Sequence, residues 1–132
     1  MKLQKILVLL IGVALININF AEAQSSKVKV LTPSEFEGLM KNKGAVRVLD
    51  VRTPEEMADG YIPGAINIDY NNDNFKSEIA KLDKLRTYLI YCKVGGRSGE
   101  AAKMMREAGF THLYSLDGGI AAWQEAGKPI EK

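Results

Sequence analysis

Residues that could do chemistry concentrate in one stretch, Tyr91-Cys92-Lys93-Val94-Gly95-Gly96-Arg97-Ser98, which holds the only cysteine of the chain. Before it, Thr87–Tyr91 is rich in β-branched, aromatic and aliphatic residues and predicts a buried strand. After it, residues 98–108 are largely Ala, Met, Glu, Arg and Lys, stop at Gly109, and predict a helix. Cys92 would then stand where a strand ends and a two-glycine turn leads into a helix N-terminus. Such a terminus leaves backbone N–H groups unpaired and carries partial positive charge. Gly95 and Gly96 would let successive N–H groups point inward as an anion-binding nest, and Lys93 and Arg97 add formal charge. A thiol in that setting ionises readily, its pKa falling from ~8.5 into roughly the 3.5–7.5 range. The thiolate is the nucleophile, and the same N–H groups with Arg97 would hold an anionic substrate over it. A cysteine that only packs as a small hydrophobe needs neither the glycines nor the cations.

The elements that must position this loop alternate along the chain. Residues 28–31 predict a first strand. Thr32-Pro33-Ser34-Glu35 predicts a helix start, with Thr32 as N-cap, Pro33 at the first position and Glu35 closing a capping box. Phe36, Leu39 and Met40 give that helix an apolar face. Residues 45–51 predict a second strand, and Thr53-Pro54-Glu55-Glu56 repeats the helix-start pattern before Asp59-Gly60 and Pro63-Gly64 interrupt it. Residues 65–68 predict a short strand, residues 75–82 a helix with Phe75, Ile79 and Leu82 on one face, and residues 112–115 a fifth strand. A final helix over 120–126 carries Trp123. Strands alternating with helices over short connections predict an α/β domain with a mainly parallel sheet. Such sheets bind ligands at the carboxyl ends of their strands, where Cys92 falls, as do Asp50 and Arg52. That pair reads first as a structural ion pair beside Pro54 and second as a wall of the cleft. His112, the only histidine, reads as a framework residue.

The whole chain, 132 residues, suffices for one domain. Residues 1–23 read as a signal peptide: Lys2 and Lys5, an apolar run from Ile6 to Ile16, and Ala21-Glu22-Ala23 as a cleavage site, leaving a domain over 24–132. The apolar run is shorter than the ~20 residues of a spanning helix, so no stable membrane anchor is expected, and the protein would be exported, to a periplasm in the first instance. Eighteen basic and 16 acidic residues, less Lys2, Lys5 and Glu22, leave 16 and 15, a formal charge of +1. That balance is no footprint for nucleic acid. One cysteine makes no internal disulfide, and one Cys with one His offers no metal cluster.

Four stretches together resemble a single-domain rhodanese. Val48-Leu49-Asp50-Val51-Arg52-Thr53-Pro54-Glu55-Glu56 resembles the family's "LDVRxPxE" segment. Gly60-Tyr61-Ile62-Pro63-Gly64-Ala65-Ile66-Asn67-Ile68 resembles "GHIPGAxNI", with Tyr61 where the family often has His. Cys92 to Ser98 resembles the active-site loop, and Leu116-Asp117-Gly118-Gly119-Ile120-Ala121-Ala122-Trp123 resembles "LxGGxxAW". The resemblance covers roughly residues 28 to 130. It implies a five-stranded parallel sheet with helices on both faces and no cofactor. It implies that Cys92 takes a sulfane sulfur from a donor such as thiosulfate and passes it, as a persulfide, to a thiol or to cyanide. Lys93, Val94, Gly95, Gly96, Arg97 and Ser98 would form the substrate cradle of a monomeric enzyme. In this superfamily the six-residue loop goes with sulfur transfer and a loop one residue longer with phosphatases; Cys92 and Arg97 have four residues between them. The competing readings are a cysteine phosphatase or arsenate reductase on the same loop, and a sulfur-carrying or partner-binding module without turnover.

Overall fold

In a computed structural model, residues 28–132 are described, so the expected signal peptide lies outside the described residues. Five strands, β1 (Lys29–Leu31), β2 (Val46–Asp50), β3 (Ile66–Asn67), β4 (Thr87–Tyr91) and β5 (Leu113–Leu116), form one sheet in the order β1-β5-β4-β2-β3. Every pairing is parallel. The helices are α1 (Pro33–Met40), α2 (Pro54–Ala58), α3 (Phe75–Ala80), α4 (Gly96–Glu107) and α5 (Gly119–Glu125).

The period of two along the central strand divides the core. Tyr88 and Ile90 face a cluster with Phe75 and Ile79 of α3 and Ala101, Ala102 and Met105 of α4. Leu89 and Tyr91 face the other side, with Phe36 of α1 and Ile120 and Trp123 of α5. Burial on both faces explains why β4 reads as a continuous apolar run. Trp123 is fully buried, edge-on to Phe36, and its indole N–H donates to the Pro129 carbonyl at 2.8 Å.

Both Thr-Pro starts form capping boxes, Thr32 with Glu35 and Thr53 with Glu56. Three expectations are corrected. Leu39 of α1 is exposed, whereas Phe36 is buried and Met40, partly buried, packs against the same core. β5 runs one residue later than expected, from Leu113, since Leu113 is the first to pair with Tyr88. The helix after the loop begins at Gly96 rather than Ser98, so Gly96 and Arg97 belong to its first turn.

Candidate active site

Cys92 follows the last residue of the central strand, β4, and the peptides after it curl around its sulfur. The Gly95 N–H donates to Cys92 Sγ at 3.0 Å. Gly95 has φ +114°, a left-handed conformation that favours glycine. Gly96 has no such φ and open space around it, so only one of the two loop glycines is demanded by the turn.

A second contact decides which way the loop's peptides face. The N–H groups of Ile120 and Ala121, in the first turn of α5, donate to the carbonyls of Cys92 and Lys93 at 2.9 and 3.0 Å. Gly119, at φ +61°, lies against those same carbonyls, and a Cβ there would collide with them. The first turn of α5, reached through Gly119, therefore receives the Cys92 and Lys93 oxygens and leaves the loop's N–H groups for the sulfur.

Behind the sulfur stands a chain of hydroxyls. Cys92 Sγ and Ser98 Oγ are hydrogen-bonded at 3.5 Å, Ser98 Oγ donates to the Gly95 carbonyl at 3.1 Å, and Ser98 and Ser115 share a hydrogen bond of 3.0 Å. Ser98 and Ser115 are both buried. Burial pushes the Cys92 thiol up, but the Ser98 hydroxyl and the N–H groups of Ser98, Gly95 and Val94 outweigh it, and the net shift is downward. The sequence pointed to Ser98; Ser115 carried no signal, because its place behind the loop comes from the β4–β5 pairing of Ile90 with Ser115.

Arg97 does not stand free over the sulfur. Its Nη1 and Nη2 pair with Glu56 Oε1 and Oε2 at 2.6 and 2.9 Å, across 41 residues of sequence. That pairing holds the Glu56 carboxyl down from its ordinary 4.5 to about 2, against the opposing effect of burial and with help from Thr53. Sequence reasoning placed Glu56 only in a helix-start pattern. It is also the last residue of the quoted "LDVRxPxE" segment, which was the available signal. Lys93 points from an exposed position on the loop, and Val94, 66% exposed, forms its tip.

Asp50 and Arg52 form a buried ion pair. Their side chains are 0% and 6% exposed and meet at 2.7 Å, and Arg52 also donates to the Gly60 carbonyl at 2.7 Å. Arg52 does reach the wall of a cleft of about 170 Å³ that Glu56, Lys93 and Ile120 also line. His112 is exposed and away from the loop, its carbonyl accepting the Tyr88 N–H. Tyr61 forms an antiparallel bridge with Glu131. Among the described residues no group of acidic, His and Cys side chains is placed to hold a metal ion, and no helix is long and apolar enough to cross a membrane.

A parallel sheet with core on both faces, and a buried thiol at the end of its central strand that accepts a loop N–H, define an α/β domain. The chain belongs to the rhodanese-like domain family, whose model matches residues 32–126. It is 38% identical over 101 residues to the thiosulfate sulfurtransferase GlpE of Shewanella oneidensis, covering 76% of this chain and 97% of GlpE. It is 36% identical to the probable adenylyltransferase/sulfurtransferase MoeZ of Mycobacterium tuberculosis, over 81% of this chain but only 27% of MoeZ. The fold superposes on a rhodanese-related protein of Thermoplasma volcanium with a TM-score of 0.67 at 29% identity, covering 78% of this chain and 97% of that one.

Proposed function

We propose that the protein is a sulfurtransferase of the rhodanese type that works through a persulfide on Cys92. The thiolate attacks the outer sulfur of a donor such as thiosulfate, a new S–S bond forms on Cys92, and sulfite leaves with the electron pair of the broken bond. A thiophilic acceptor, a thiol or cyanide, then attacks the outer sulfur and releases the Cys92 thiolate. Covalent catalysis splits the transfer into two easier steps and gives ping-pong kinetics. The observation that carries the reading is the Gly95 N–H donated to Cys92 Sγ at 3.0 Å at the end of the central strand, where the Ser98 hydroxyl and the Ser98, Gly95 and Val94 N–H groups together hold the thiol pKa down. Fixed donors of that kind stabilise both thiolate and persulfide anion without reorganising during reaction. The six-residue loop of this chain and the name of the GlpE relative support the same reading.

The test is the intact mass of cyanide-washed protein before and after thiosulfate. A gain of one sulfur atom, reversed by cyanide and absent in Cys92→Ala, is the expected result; no gain on a demonstrably reduced thiol from thiosulfate or from an alkyl persulfide overturns it. We also propose that residues 1–23 are removed on export. The N-terminal sequence of protein recovered from a periplasmic fraction tests this, with Gln24 expected first.

A further inference from the structure

Read as sequence, the loop offers two cations to an anionic donor; folded, it offers one. Two N–H groups of the Arg97 guanidinium are taken by the two oxygens of Glu56, which leaves the pair with no net formal charge. Glu56 is itself held in place, since the Thr53 hydroxyl donates to Oε1 at 3.3 Å and the Glu56 N–H donates back to Thr53 at 3.2 Å. Arg52, the neighbouring cation, is matched by Asp50. Of the charges lining the cleft beside the loop, that leaves Lys93 and, against it, the exposed Asp59. The formal charge at the loop's edge is thus close to balanced, and the pull on an anion comes from N–H groups that act only at contact distance around the sulfur.

We propose that Glu56 is a positioning residue that sets which donors the site takes: by occupying Arg97, it favours a singly charged sulfane donor of the alkyl persulfide class over dianionic thiosulfate. This rests on the sulfurtransferase reading. Such a donor binds as R–S–S⁻ and reacts after taking a proton from water: Cys92 thiolate bonds to the terminal sulfur of R–S–SH, the donor's S–S bond breaks, R–S⁻ leaves, and the proton on the transferred sulfur returns to water as the Cys92 persulfide ionises. No outside oxidant or reductant is needed. A dianion gains about twice as much as a monoanion from any positive charge released at the edge of the cleft, so the two donors report on Glu56 differently.

The experiment compares the parent protein with Glu56→Gln, loading Cys92 from thiosulfate and from 2-hydroxyethyl persulfide and measuring kcat and KM for each. Glutamine serves a capping box as glutamate does, and a thermal melt verifies the fold. Glu56→Gln is expected to raise kcat/KM for thiosulfate about tenfold, through KM, and to change it about threefold or less for the persulfide. The gain for thiosulfate shrinks as ionic strength rises. Glu56→Asp, which keeps the charge, stays closer to the parent in its donor ratio. A thiosulfate kcat/KM that falls in Glu56→Gln, or equal changes for both donors, overturns the role of Glu56. Loading of the parent by neither donor overturns the sulfurtransferase reading itself.

Discussion

The N–H of Ile120 donates to the carbonyl of Cys92 at 2.9 Å. The first turn of the last helix thereby orients the peptide of the candidate nucleophile, although 28 residues separate the two. Gly119 makes that approach possible, lying against the Cys92 and Lys93 carbonyls at a positive φ. Gly119→Ala is expected to lower stability by about 1–3 kcal/mol and to abolish sulfur loading. Gly127, at φ +72° with nothing within 4 Å of an added Cβ, is the control: Gly127→Ala costs about 1 kcal/mol and loads normally. Thermal melts and intact mass read both.

The hydroxyl chain behind the sulfur predicts a graded effect. Ser98→Ala removes the side-chain hydrogen-bond partner that lowers the Cys92 thiol pKa. The midpoint of the pH dependence of iodoacetamide alkylation should rise, with the rate below that midpoint falling by on the order of tenfold for each unit. Ser115→Ala, which only supports Ser98, should move the midpoint in the same direction and by less. An unmoved midpoint in Ser98→Ala would show that the N–H groups alone stabilise the thiolate.

Glu56 gives the stability of the protein an acid limb. Its carboxyl sits at about 2 rather than 4.5, first because Arg97 donates to it. The unfolded chain therefore binds more protons than the folded one between those values. The stabilisation is fully present above about 4.5 and is lost as pH falls towards about 2. Urea denaturation across this window should show a shallower loss for Glu56→Gln than for the parent protein.

Asp50 and Arg52 should behave as a buried pair does. Asp50→Ala leaves the Arg52 guanidinium buried with two carbonyls and the Tyr91 ring but no counter-charge, and is expected to cost about 3–5 kcal/mol. Conversion of both residues together to apolar ones should cost less than Asp50→Ala alone. Denaturant midpoints of the three variants check this.

Much of the fold was legible because its signals are local. Thr32 and Thr53, each followed by Pro and a Glu three residues on, predict helix starts from hydrogen bonds that close within one turn. The apolar run over β4 predicts a strand covered on both faces. The loop itself was legible because Cys92, Gly95, Arg97 and Ser98 are neighbours in sequence. Gly96 misled slightly, since a glycine's presence does not say whether its backbone uses the left-handed region; Gly95 does and Gly96 does not.

Sequence alone determined that this is an α/β chain with one thiol set at a strand end, because backbone period, caps and turn chemistry act over a few residues. Tertiary structure decided how that thiol is surrounded. The strand order β1-β5-β4-β2-β3 brings Ser115 behind Ser98 and puts the Asp50 end of β2 next to Tyr91. Packing of α5 turns the loop's carbonyls outward, and α2 delivers Glu56 to Arg97. Charge is counted in sequence but balanced in space: Arg97 is a cation in the chain and half of a neutral pair in the fold, because Coulomb attraction depends on distance and not on position along the backbone.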